Sequence, residues 1–529
     1  MIEWTMPESQ PLDIPTLDDL VRQDFSALSE ADALNHLAWL IDLSADAGHA
    51  DGTSLVFERL DALAARNPSP CPTTQATIHY FRSNAWHNRI LEEAAQQSWD
   101  WEQPSRQNQI LQLRRAVRHP AYQELIPLLR WRIRTNLGSQ LNEVGRTVDA
   151  IQNWDTALAD QPRFGKAAGA RGQGLVAYAI ALQSERYTKP LLVEAQRSLS
   201  TALEPGAIHE EDIETVTAVF KADLAWIEET LKGFDDSGHE EPGELAKFGD
   251  TPEEMAYRRW CVAERLFLNP LNDLGDYPLA AEDSITLPPI TESSASARPP
   301  AIIGFYNQMK QEYVSARFML FEGLHSTEAH YSDKHVALFN TLDYPSYGFG
   351  IERIRMSFRS AYSVLDKIAF FLNAYLQLGH KHHLVSFRSV WYEGAKPDKP
   401  LLQRFHTHSN WPLRGLFWLS KEFFEDDFKQ VTEPDAEELA LLRNQLEHRY
   451  LQLHSMGHGG DDSNALYPGL RRSMGRHDFE GKTLRLFRYT RSALIYLSMA
   501  VRREEAMRST DSGIVMPMIL DTWEDEWKE

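Results

Sequence analysis

Arg443, Asn444 and His448 stand in the string Arg443-Asn444-Gln445-Leu446-Glu447-His448. On a helix advancing about 100° per residue, Asn444 and His448 lie roughly 40° apart on one face, and the long stem of Arg443 can reach them. A guanidinium can stabilise the crowded, anionic phosphorus of a phosphodiester under attack. An imidazole can carry a proton near neutral pH. The arginine and the histidine are therefore a minimal kit for cleaving a phosphodiester. The same residues also allow a plain reading, in which Arg443 and Glu447 form an ordinary i,i+4 surface pair and His448 is solvated.

The element that must position them starts at Glu433-Pro434-Asp435 and is expected to run through His448 into Arg449-Tyr450-Leu451, with Leu442, Leu446 and Leu453 as its buried stripe. Around it the chain reads as helical. Helices are expected over Phe305–Gly323, Ile351–Leu378 and Gly481–Arg503. The second carries Ile354, Phe358, Ala361, Leu365, Ile368, Phe371 and Leu372 at helical spacing, with Asp366 and Lys367 midway. Asp366 is kept only as a weak supporting candidate, since it fits the solvated face of a long helix equally well. The last helix places Lys482, Arg485, Arg488 and Arg491 at near three-residue steps, a basic strip that could follow an RNA backbone or simply face solvent.

The N-terminal half carries a repeat. From about Trp131 to Phe164 the chain shows Leu137-Gly138, Leu141, Gly145, Ala150, Trp154, Ala157 and Pro162, similar to a tetratricopeptide unit with its small residues and closing proline. Weaker copies are expected over Leu40–Pro68 and Gly165–Leu199, with helices over Thr74–Arg89 and Asn108–Arg118 between. Strand signals are sparse, so the chain is expected to be all-α. The expected organisation is a tetratricopeptide-like domain over 1–232, an acidic and proline-rich connection over 233–300, a helical catalytic domain over 301–510 and a tail over 511–529.

The 529 residues carry a net charge of −22, so any contact with nucleic acid must be local. Two cysteines, Cys71 and Cys261, exclude a disulfide framework and point to a reducing compartment. No leader or membrane span is read, so a soluble, cytoplasmic protein without membrane contact is expected. Histidines gather at His380, His382 and His383, with no acidic or cysteine partner nearby, and again at His448, His454 and His458, where Gly457, Gly459 and Gly460 are expected to end the helix, so no metal or cofactor is expected.

Several segments together resemble the HEPN superfamily (higher eukaryotes and prokaryotes nucleotide-binding), in a bacterial branch where the domain follows tetratricopeptide-like repeats. They are Arg265–Leu274, Lys310–His325, Asn340–Tyr347, Ser357–Tyr375, Pro412–Glu422 and Arg443–Leu451. The resemblance implies a metal-independent endoribonuclease that dimerises to form a composite cleft. Arg443 and His448 would be catalytic and Asn444 supporting. Cleavage would leave 2′,3′-cyclic phosphate ends, in a setting of antiphage defence or toxin-type growth arrest. The repeats would bind a protein partner or trigger. The alternative is a non-catalytic interaction protein, in which the repeats hold a protein and the bundle dimerises or binds nucleotide.

Overall fold

Helices begin where short polar side chains take up their free N–H groups. The side chains of Ser29, Thr251 and Asn410 accept from the amides of Asp32, Glu254 and Leu413, and Pro252 and Pro412 follow two of these caps where no intrahelical donor is needed. The computed structural model describes residues 15–48, 50–66, 68–93, 99–209, 213–234, 248–275, 278–290, 301–396, 398–406, 408–423, 431–455, 471–508 and 520–528. Most of the acidic connection after Gly233, the Thr291–Pro300 stretch, the loop holding His458 and the start of the expected tail lie outside them.

The chain is all-α, with one short pair of strands among the described residues, and it divides into two units, Met1–Leu137 and Gly138–Glu529. The first holds α1 (Leu17–Arg22), α2 (Glu30–Asp46), α3 (Ala50–Ala64), α4 (Pro72–Glu93) and α5 (Pro104–Arg118). Its core includes Leu37, Leu40, Val56, Leu60 and Leu63. Helix α6 (Pro127–Glu143) contains the division, so the repeat expected from Trp131 to Phe164 spans it.

In the second unit, α7 (Thr147–Asp160), α8 (Gly165–Leu182), α9 (Glu185–Leu203) and α10 (Ile213–Leu231) are followed by α11 (Pro252–Ala263), α12 (Ala301–Leu324), α13 (Phe349–Tyr375), α14 (Gln403–His406) and α15 (Trp411–Ser420). Then come α16 (Ala436–His448), the strands β1 (Tyr450–His454) and β2 (Arg471–Gly475), and α17 (Arg476–Met507). A side chain at Gly138 or Gly174 would collide with the buried Trp154 ring, which accounts for glycine at these two positions.

The helices after Gly138 pack directly on the C-terminal bundle. Gly145, at φ +88°, brings its backbone against that of Trp411 and Gly415, and a Cβ on either glycine would strike the other segment. Beside this contact the buried Arg146 pairs with Asp149 at 3.1 Å and with Glu422. The Tyr496 hydroxyl donates to Asp149 at 3.0 Å and accepts from the Val148 amide at 3.0 Å. Helices α12 and α13 run antiparallel, with Gly323 opposite Ile354 and Phe305 opposite Phe371. Phe358 of α13 stacks on Phe479 of α17 at 5.7 Å between centroids.

The motif helix ends earlier than expected. Its last residue is His448, and the chain is extended from Arg449 into β1, which pairs in parallel with β2 from Tyr450↔Arg471 to His454↔Gly475. The alternation of Leu451 and Leu453, both buried, carries the two-residue period of a strand. Helix periodicity read through Leu453 therefore hid the change of element.

Candidate active site

Helix α16 lies antiparallel to α13, and their facing residues set the site. Arg443 donates to the Asp366 carboxylate at 2.9 Å, and its guanidinium lies 4.6 Å from the centroid of the Tyr362 ring. An ion pair and a cation–π contact together fix a group that would otherwise sample many rotamers. Arg443 still exposes 40% of its side chain. Asn444 and His448 are exposed. The i,i+4 pairing of Arg443 with Glu447 is replaced: Arg443 reaches across to Asp366, and Glu447 lies 3.8 Å from Arg359 instead.

Asp366 is held above the ordinary carboxylate range, chiefly by burial. The Arg443 charge and the Phe387 backbone N–H oppose that shift. Lys367, the other member of its dipeptide, pairs with Glu312 of α12.

Arg359 was not singled out from sequence. Its guanidinium donates to the Leu446 carbonyl in the last turn of α16, where carbonyls lack helical partners and a cation is favoured. One turn earlier on α13, Arg355 donates to the Leu451 carbonyl at 2.8 Å. Arg355, Arg359, Tyr362 and Asp366 follow each other at steps of four, three and four, a single helical face. That spacing was readable. What it faced was not, because Leu446 lies 87 residues away in the chain.

Arg491 drops out of the expected basic strip of α17. Arg491 is fully buried: it pairs with Asp273 at 2.6 Å and donates to the Phe267 and Asn269 carbonyls, so it has no surface to offer RNA. Arg488 pairs with Glu264. Lys482 binds Glu438 at 2.8 Å and Arg485 binds Asp435 at 3.2 Å, which ties α17 to the start of the motif helix. In a chain with many more acids than bases, these cations have found carboxylates within the fold.

His380 is buried, with its ring against the Val390 carbonyl at 3.0 Å, and the His382 ring stacks on Phe370. His454 is buried in β1. Among the described residues, no group of three or more His, Cys, Asp or Glu side chains is placed to hold a metal. Among them also, no helix is long and apolar enough to cross a membrane.

Residues 293–504 match the family described as LA2681-like HEPN, so this part of the chain is similar to HEPN domains. The match takes in α12, α13, α15, α16, both strands and most of α17, and with them Arg443, Asn444, His448, Asp366 and Arg359. No curated protein and no solved structure matches the chain.

Proposed function

We propose that the chain is a metal-independent endoribonuclease of the HEPN type. The observation that carries this reading is a guanidinium held by Asp366 and Tyr362, with an exposed imidazole five residues further along the same helix. Arg443 orients the phosphate and offsets the charge of the pentacoordinate phosphorus. His448 takes part in proton transfer, and the Asn444 amide donates to a phosphate or ribose oxygen. The ribose 2′-oxygen gives up its proton and bonds to phosphorus. The bond from phosphorus to the 5′-oxygen breaks, and that oxygen gains a proton. The products are a 2′,3′-cyclic phosphate and a 5′-hydroxyl.

Two copies of the motif facing one cleft would supply two histidines, one for each proton, so the active species is read as a homodimer. The helical hairpins after Gly138 and those of the first unit serve as the sensor or scaffold that binds a protein partner or trigger, in antiphage defence or toxin-type growth arrest.

The test uses a labelled RNA and the same RNA with one 2′-deoxynucleotide at the mapped cleavage position, both in EDTA. The expected result is cleavage of the first only. Equal cleavage of both, or an absolute need for Mg²⁺, would refute the assignment.

A further inference from the structure

Four contacts run along the seam between α13 and the motif segment. Asp366 takes Arg443, Arg359 holds the Leu446 carbonyl, Arg355 holds the Leu451 carbonyl, and Tyr347, two residues ahead of α13, meets Tyr450. On α13 the contacts move towards its start, and on the other side they pass from α16 into β1. The first three fix the guanidinium and the end of the motif helix. The fourth does neither.

The hydroxyls of Tyr347 and Tyr450 lie 2.7 Å apart. Tyr347 is 44% exposed and Tyr450 is half-buried. A surface tyrosine ordinarily lays its ring on the protein and gives its hydroxyl to water. Here the two hydroxyls are turned to each other. Among the described residues neither ring packs on another aromatic ring. A polar network holds Tyr450 from behind. Gln452, two residues on and therefore on the same side of β1, also reaches the Tyr450 hydroxyl. The Gln452 amide group donates to Asp343 at 2.6 Å, Arg471 donates to Asp343 at 3.1 Å, and the Ser473 hydroxyl donates to Gln452 at 3.1 Å. Burial and the Tyr347 hydroxyl push the Tyr450 pKa up to about 12, so the phenol keeps its proton and sets no negative charge against a phosphate.

We infer that Tyr347 and Tyr450 form a stacking platform for an unpaired RNA base next to the cleaved phosphate. Every base has a π face, and an aromatic side chain held in place takes it up without reading its edges. Only a base outside a duplex can reach such a ring, so the substrate is single-stranded at this position. The chain is extended through Arg449, which keeps the Tyr450 backbone within about 7 Å of that of His448. Placing the base beside the cleaved phosphate rests on the ribonuclease reading; the stacking of a base does not.

The test measures binding by the full chain carrying His448→Ala, so that the RNA is not consumed. The probes are a short labelled single-stranded RNA and the same RNA with one abasic nucleotide, moved through each position in turn. One abasic position should weaken binding about tenfold, and Tyr450→Ala should weaken binding of the intact RNA by about as much. The two changes together should cost no more than either alone. Tyr450→Phe, which keeps the ring, should bind nearly as the parent does. Tyr347→Ala provides the same comparison if Tyr450→Ala melts early. Independent losses at every abasic position, or a loss in Tyr450→Phe as large as in Tyr450→Ala, would overturn the inference. So would a folded chain that binds no single-stranded RNA. A wild type that cuts RNA without this coupling would lose the platform and keep the nuclease reading. A chain that shows the coupling and never cuts RNA would keep the platform and lose the nuclease reading.

Discussion

Asp366 and Arg443 meet at 2.9 Å across two antiparallel helices, with the Tyr362 ring beneath the guanidinium. The pairing holds the cation on one side of α16 and leaves part of it facing solvent. Replacing Arg443 by Ala should reduce RNA cleavage by about 10²–10³-fold, the scale of losing one electrostatic stabiliser of the transition state. The melting temperature should fall only slightly, because partly exposed ion pairs contribute about 0–1 kcal/mol. Arg443→Lys should recover little, since an ammonium lacks the planar fork and stacks less well on Tyr362. Full activity in the lysine variant would show that charge alone suffices.

Arg359 should act as a positioning residue. It holds the last turn of the motif helix through the Leu446 carbonyl. Arg359→Ala should lower kcat several-fold through a looser His448, with RNA affinity less affected. Arg359→Lys should restore part of the loss, because a cation at the helix end is retained. A change confined to KM would instead mean that Arg359 contacts the RNA.

Burial raises the Asp366 pKa above its unfolded value near 3.8. Between those two values the folded state binds the proton more tightly. Its stability therefore falls as pH rises through the raised folded value, and the deficit persists above it. Asp366→Asn should lack this component. Its stability relative to wild type should improve as pH rises from about 4 towards neutrality, while cleavage falls because Arg443 loses its orienting carboxylate. Parallel pH–stability curves for the two proteins would contradict the assignment of Asp366.

Much of the fold was legible because helical periodicity survives in α12, α13, α16 and α17, and the motif helix was found with its start close to Glu433. That Arg443 and His448 share one helix was also legible, because both lie within a single run of helical spacing. What escaped depends on distant partners. Arg491 finds Asp273 across 218 residues, so a regular basic spacing did not mean a basic surface. Gly145 and Gly415 likewise meet from distant parts of the chain with no shared pattern. The end of α16 was missed because Leu451 and Leu453 satisfy a strand as well as a helix.

The buried pair of Arg146 and Glu422 joins the helices after Gly138 to the bundle. Glu422 also lies near the Tyr489 hydroxyl, which donates at 2.8 Å to Glu433, just ahead of α16. Arg146→Met should destabilise the chain by about 3–5 kcal/mol, since it leaves buried carboxylates uncompensated. Arg146→Met with Glu422→Gln should cost less than the two single changes combined. Additive costs in chemical denaturation would mean that the pair is not a coupled unit.

In the proposed mechanism His448 moves a proton during RNA cleavage. Single-turnover cleavage of an end-labelled RNA in EDTA, by wild type and by His448→Ala, tests it most directly. His448 is exposed at the end of α16, so the variant should melt with wild type. Cyclic-phosphate ends are expected from wild type, and a rate about 10²–10⁴-fold lower from the variant. Equal rates from two equally folded proteins, or 5′-phosphate products from wild type, would contradict it.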